Sequence, residues 1–132
     1  MKDVIAGLLI KDGLCLIAKR RVGDSLANLW EFPGGKLEAG ETHQECLQRE
    51  MAEEFQIDVE VGNFFAENIY NYKFGTFHLF LYWLSWHGDM LTPTVHDDIA
   101  WVNQQTILNY EFVPGDIPIV EKLRQCNDWC TL

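Results

Sequence analysis

Six glutamates crowd into one short stretch, at positions 38, 41, 45, 50, 53 and 54. Glu50, Glu53 and Glu54 stand three and four residues apart, so on a helix their carboxylates emerge from one face. Like charges at that spacing repel by about a few tenths of a kcal/mol per pair, so a positive group must sit among them. Clustered carboxylates are hard oxygen donors, suited to Mg2+ or Mn2+ rather than zinc. The bland alternative is a solvated acidic helix face, which is what charge runs usually are. Cys15, Cys46, Cys126 and Cys130 are scattered without a CxxC pair and read as reduced thiols rather than a zinc or redox site. Cys126 and Cys130 have the spacing to share a helix face, but two thiols alone do not make a metal site.

The elements that must position the acids follow from hydrophobic periodicity. "DVIAGLLI" and "LCLIAKRR" are β-like runs around "KDG", a hairpin signal. "VGDSLANLWEFPGG" reads as a loop with a short apolar patch and a Pro-Gly-Gly turn. "ETHQECLQREMAEEF" reads as a helix. Thr42 with Glu45 forms a capping box, and Leu47, Met51 and Phe55 make an i, i+4, i+8 apolar stripe. The stripe lies about a quarter-turn from the acids, so it can pack on a sheet while they line a cleft. "IDVEVGNFFAENIYNY" and "TFHLFLYWLSW" are two long strands meeting at Lys73–Gly75, "IAWVN" is a short strand and "QQTILN" a helical turn. "DIPIVEKLRQC" is a final helix with Asp116 as N-cap and Pro118 in its first turn. Strands, a helix, more strands and a last helix make an α+β sandwich, one domain over residues 1–132.

Composition narrows the partners. The formal net charge is −10, with acids outnumbering bases two to one, which argues against a nucleic-acid polymer as ligand. An acidic protein also repels a free polyphosphate, so an anionic substrate must arrive with divalent cations. No apolar run reaches the roughly 20 residues of a membrane span. The start, "MKDVIAGLLIKDG", is too soon interrupted by charge for a secretory signal. The expectation is a cytoplasmic protein without a membrane partner, monomeric or homodimeric.

Gly35, five residues, Glu41, seven residues, then Arg49-Glu50-Met51-Ala52-Glu53-Glu54 and Ile57 resembles the signature of the Nudix hydrolases. "LWEFPGGKLEAGET" and the tail "FVPGDIPIVEKLR" are similar to the MutT-like branch of that family, so the resemblance runs through most of the chain. It implies an α/β/α sandwich with a mixed sheet and a catalytic helix at residues 42–55. It also implies Mg2+ (or Mn2+) held by Glu50, Glu53, Glu54 and the Gly34 carbonyl, with Arg49 pairing with and orienting the acids. Glu53, Glu50 and Arg49 are the expected catalytic residues. Gly35 in the Pro-Gly-Gly turn lets backbone approach a pyrophosphate, and of Arg20 and Arg21 the second is the chosen phosphate contact. Gln56 stands where the family usually has Gly; a left-handed helix end there would cost about 1 kcal/mol. Family members often carry a Glu before a His ahead of the "WV" strand. Here Val95 takes that place, leaving His96, Asp97, Asp98 or, as the favoured choice, Glu53 to activate water.

The branch converts nucleoside triphosphates to monophosphate and pyrophosphate, which makes a nucleoside triphosphate the expected substrate and nucleotide-pool sanitation the expected role. Phe32 and Asp116 are expected in the base pocket. Guanine-oxidation sanitizers of the branch tend to have Asn at the latter position, whereas an ionised Asp only accepts hydrogen bonds and suits cytosine N4 or adenine N6. The "GDIP" stretch is similar to the branch's CTP and modified-dCTP pyrophosphohydrolases. The alternatives are an 8-oxo-dGTP diphosphatase and, in a different class, a non-catalytic Nudix-fold binding module.

Overall fold

The computed structural model describes residues 1–127 and 129. The first two runs form strands β1 (Lys2–Lys11) and β2 (Leu14–Arg20), with Ile10 opposite Cys15 and Lys11 opposite Leu14. Asp12 and Gly13 join them at positive φ, 53° and 78°, the turn geometry that matches strand twist. The expected loop holds two short strands instead. β3 (Trp30–Glu31) pairs with β2, and β4 (Gly34–Lys36) pairs with β1. The bend is at Pro33, and both glycines belong to β4, so they are ladder residues rather than a free turn.

The two long strands are β5 (Glu60–Tyr72) and β6 (Gly75–Ser85), an antiparallel pair. β6 runs parallel to β1, which makes the sheet mixed. β7 (His96–Val102) pairs with β2 and begins at His96 rather than at Ile99. The resulting order is β3-β2-β1-β6-β5, with β4 on β1 and β7 on β2. β1 is apolar throughout its middle because both of its faces are covered. Ile5 and Leu9 face helix α1 (His43–Phe55), which buries Cys46, Leu47, Met51 and Phe55 against them. Ala6, Leu8 and Ile10 face helix α2 (Ile117–Gln125), which buries Ile119, Val120 and Leu123. Each Leu, Ile, Val, Met or Phe among them contributes about 1.5–3 kcal/mol on burial. The architecture is the expected α+β sandwich. Cys15 and Cys46 are fully buried, and burial pushes both thiols up, that of Cys46 to about 12, which makes them unreactive. Cys126 ends α2, while Cys130 lies outside the described residues. Among the described residues no helix is long and apolar enough to cross a membrane.

Both ends of α1 are closed by side chains and loops. Thr42 Oγ1 accepts from the Glu45 N–H at 3.1 Å while Glu45 Oε1 accepts from the Thr42 N–H at 2.9 Å. At the other end Gln56 adopts the left-handed conformation (φ 58°, ψ 39°) despite its side chain. The segment 92–94 helps to hold it there. Thr92 and Thr94 N–H groups donate to the Phe55 and Glu54 carbonyls at 2.9 Å each, and Thr94 Oγ1 donates to the Glu53 carbonyl at 2.7 Å. Removing the left-handed penalty should therefore stabilise the fold: Gln56→Gly is expected to raise ΔG of unfolding by about 0.5–1 kcal/mol, read as a higher urea midpoint at unchanged slope. An unchanged or lower midpoint contradicts this assignment of strain.

Candidate active site

Arg49 is the positive group that the acid cluster requires. Its Nε and Nη2 meet the two oxygens of Glu41 at 2.7 and 3.0 Å, a bidentate fork. Its Nη1 meets Glu50 Oε1 at 2.7 Å and Glu53 Oε2 at 3.4 Å, and Nη2 also donates to the Lys36 carbonyl at 3.2 Å. One guanidinium thus ties the start of the acid loop, strand β4 and two of the three helix carboxylates together. Hydrogen bonding from Arg49 holds the Glu41 carboxyl down to about 2, and the same partner raises Arg49 further. Glu41 and Glu50 are largely covered, but Glu53 has 61% of its side chain exposed and is the acid that reaches solvent.

Glu54 is the strained member. It is mostly buried, and its Oε1 has no hydrogen-bond partner. Burial first, and then the charges of Glu50, Glu31 and Glu53, push its carboxyl well up. A buried carboxylate oxygen without a partner is costly, and a divalent cation held by Glu54 and its neighbours would offset that cost. The donor set therefore fits a hard cation, although among the described residues no three His, Cys, Asp or Glu side chains already converge into a cage. Arg49 occupies Glu50 and Glu53 instead. The Gly34 backbone lies in β4 opposite Ala6. Gly35 is a glycine for a steric reason: a Cβ there would come within 2.4 Å of the Glu50 carboxyl group.

Gly35 also lines a cavity of about 310 Å3 beside the acid helix. Phe32 and Asp116 lie in its wall, together with Val4, Leu79 and Val113 and the aromatic rings of Tyr72, Phe74 and Phe77. Two expectations change here. Asp116 precedes α2 but caps none of its N–H groups; its Oδ2 instead accepts from the Phe32 N–H at 3.0 Å, in a side chain only 3% exposed. Burial pushes its carboxyl up to about 8, so it holds a proton at neutral pH and can donate as well as accept. The second change concerns the arginines. Arg20 lines the cavity, pairing with Glu31 Oε1 at 2.9 Å and the Ser25 carbonyl at 2.8 Å, whereas Arg21 faces solvent beside Asp24. A register shift between Lys19 and Arg20 re-aims the end of β2, an irregularity that residue types do not signal.

The first residues of β7, His96, Asp97 and Asp98, are each engaged in contacts within the fold. His96 is buried, its Nε2 paired with Glu31 Oε2 at 2.9 Å and its ring stacked on Phe55. Asp97 accepts from the Val22 N–H, and Asp98 accepts from the Ile99 N–H. Sequence reasoning missed Glu31, which joins Arg20 and His96; the signal available was an acid two residues before Pro33 in an apolar patch.

Comparison with known proteins identifies the family. Residues 1–123 match the NUDIX domain, and the chain belongs to that family. It is 34% identical over 122 residues to the CTP pyrophosphohydrolase of Escherichia coli (strain K12), covering 92% of this chain and 90% of the relative. It is also 34% identical over 120 residues to the putative 8-oxo-dGTP diphosphatase 2 of Mycobacterium tuberculosis, covering 86% of this chain and 81% of the relative. The solution structure of the Escherichia coli ORF135 protein superposes with a TM-score of 0.79 at 31% identity, covering 92% of this chain and 87% of that one. Nudix hydrolases act on nucleotides and generally use divalent metals.

The Arg49–Glu41 fork has a measurable pH signature. Glu41 lies below its ordinary value of 4.5 in the folded chain, so its contribution is present above that pH and is lost as pH falls towards 2. Glu41→Gln is expected to lose less stability than the wild type between about pH 5 and pH 2, followed by denaturant midpoints. Parallel losses in the two proteins contradict the fork.

Proposed function

We propose that this Nudix protein is a Mg2+-dependent nucleoside triphosphate pyrophosphohydrolase that releases nucleoside monophosphate and pyrophosphate, with Mn2+ as a substitute metal. The observation that carries the reading is Gly35, which borders a base-sized cavity on one side and makes room for the Glu50 carboxyl on the other. A nucleotide with its base in the cavity leads its phosphates towards the acid helix. When bound, the cation neutralises phosphate charge and acidifies a coordinated water. Glu50, Glu53, Glu54 and the Gly34 carbonyl are the groups to hold it, and Arg49 fixes the Glu50 rotamer. Glu53, the exposed acid, accepts the proton of the attacking water. Arg20, paired with Glu31 in the cavity wall, is better placed than Arg21 to meet the substrate. A role in cleaning the nucleotide pool follows from that chemistry, and nothing in it requires a nucleic-acid polymer.

The protonation of Asp116 bears on the base. A protonated carboxyl offers one donor and one acceptor, which complements the N3/N4 edge of cytosine and also the O6/N7–H edge of 8-oxoguanine. That supports keeping 8-oxo-dGTP beside cytosine nucleotides as a second reading, in line with the names of the two relatives above. Ionised Asp116 keeps only acceptors, so it retains the N4 amine of cytosine or the N7–H of 8-oxoguanine and loses N3 or O6.

A pyrophosphate-release assay over CTP, dCTP, 5-methyl-dCTP and 8-oxo-dGTP tests both statements. Turnover is expected only with a divalent cation, and Glu53→Gln is expected to lower kcat by about 100-fold or more. As pH rises through about 8, kcat/KM is expected to fall for both dCTP and 8-oxo-dGTP, each losing the hydrogen bond that the protonated carboxyl donates, and this fall is expected to be absent in Asp116→Asn. Absence of metal-dependent turnover on every nucleotide would leave a binding module, and a pH profile that Asp116→Asn leaves unchanged would remove Asp116 from base recognition.

A further inference from the structure

Asp116 receives no support from its own helix, and its placement comes from β5. The turn Pro114–Asp116 is gripped at Gly115 from both sides. Tyr72 Oη accepts from the Gly115 N–H at 2.7 Å, and Asn68 Nδ2 donates to the Gly115 carbonyl at 2.9 Å. That carbonyl belongs to the peptide group leading into Asp116, so the Asn68 bond acts one covalent step from the residue it would orient. Asn68 and Tyr72 stand four residues apart on one strand, and their side chains leave the same face. A Cβ at position 115 would come within 2.7 Å of Tyr72 Oη, so a glycine is needed for the turn to lie this close. The Tyr72 ring in turn stacks on Phe74 (5.0 Å, 11°) and meets Phe77 edge-on (5.9 Å), and these three rings form the aromatic wall of the cavity. Asn68 is not part of that wall.

We propose that Asn68 and Tyr72 are positioning residues for base recognition: by clamping Gly115 they fix the Asp116 carboxyl against the aromatic wall, so nucleotide preference depends on Asn68, a side chain the base does not touch. The inference rests on the reading of Asp116 as the residue that meets the base. Without the clamp the turn keeps its own Asp116 N–H to Val113 carbonyl bond (3.0 Å) and the Phe32 N–H bond to the carboxyl, but not the restraint that orients them. Loss of orientation affects discrimination between bases more than phosphate chemistry, which occurs at the acid helix.

The test compares wild type, Asn68→Ala, Tyr72→Phe and Asp116→Asn by kcat/KM on dCTP and 8-oxo-dGTP, with amide hydrogen exchange followed by NMR. Tyr72→Phe keeps the ring and removes only the acceptor oxygen. The expected result is a ratio between the two nucleotides that shrinks at least about fivefold in Asn68→Ala and in Tyr72→Phe, as for loss of one net hydrogen bond. The Phe32 amide, which donates to Asp116, is expected to exchange at least about fivefold faster, while the Ile5 and Leu81 amides keep wild-type protection. Unchanged ratio and unchanged Phe32 protection in both variants overturn the inference, and so does loss of protection throughout the core, which would make the pair merely fold-stabilising. Equal kcat/KM for the two nucleotides in the wild type, with no shift in Asp116→Asn, overturns the base-reading role and the inference with it. A shift in Asp116→Asn alone overturns only the clamp.

Discussion

The structure depends on how one guanidinium manages several carboxylates. Glu38, Glu41, Glu50 and Glu53 all lie within ion-pair distance of Arg49, and a fifth acid, Glu54, is buried beyond its reach. Removing charges from water costs several kcal/mol per ion unless geometry and hydrogen bonds repay it. The bidentate fork to Glu41 does so for Arg49, whose remaining donors then fix Glu50 on the inner side of α1. Among the described residues Glu54 is paired with no cation; burial first, and then the neighbouring acids, push its carboxyl up, and a divalent cation would offset that cost.

The rest of the fold keeps that helix in register with a cavity. Leu47, Met51 and Phe55 anchor α1 on the sheet, so the acid face can turn only towards β4. β4 approaches closely because Gly35 has no side chain to strike Glu50. The far end of α1 is held by Thr92 and Thr94, which satisfy the carbonyls of Glu54, Phe55 and Glu53. Those threonines lie in the connection that leads into β7, so the strand bearing His96 and the helix bearing the acids are joined at their ends. His96 extends that junction to Glu31, and Glu31 to Arg20 at the cavity wall. A continuous set of short contacts therefore links the acid-bearing helix to the cavity wall.

Much of this was legible in the residues. The capping box, the apolar stripe and the one-faced acids are local spacing rules, and each appears in α1 as the spacing requires. The hairpin at Asp12–Gly13 and the long strand pair follow from turn chemistry and alternation. What escaped depends on contacts distant in sequence. β3 and β4 are two and three residues long and exist because β2 and β1 offer them edges, not because "WEFPGGK" has strand character. Arg20 replaces Arg21 at the cavity through a register shift that only strand pairing produces. Asp116 looks like a helix cap by position, yet Phe32, eighty-four residues away, takes its carboxyl, and burial changes its protonation. Gln56 departs from the family pattern in residue type but not in backbone shape, because tertiary capping holds the left-handed turn.

The central claim is that the buried carboxyl of Glu54, whose Oε1 has no hydrogen-bond partner, completes a divalent-cation site with its neighbours. Calorimetric titration of Mg2+, and separately Mn2+, into the wild type and into Glu54→Gln tests it without reference to turnover. The account predicts binding by the wild type and an affinity at least about tenfold weaker in the variant, which keeps the shape of the side chain and loses its charge. Equal affinity in the two proteins, or no cation binding by the wild type, would contradict it.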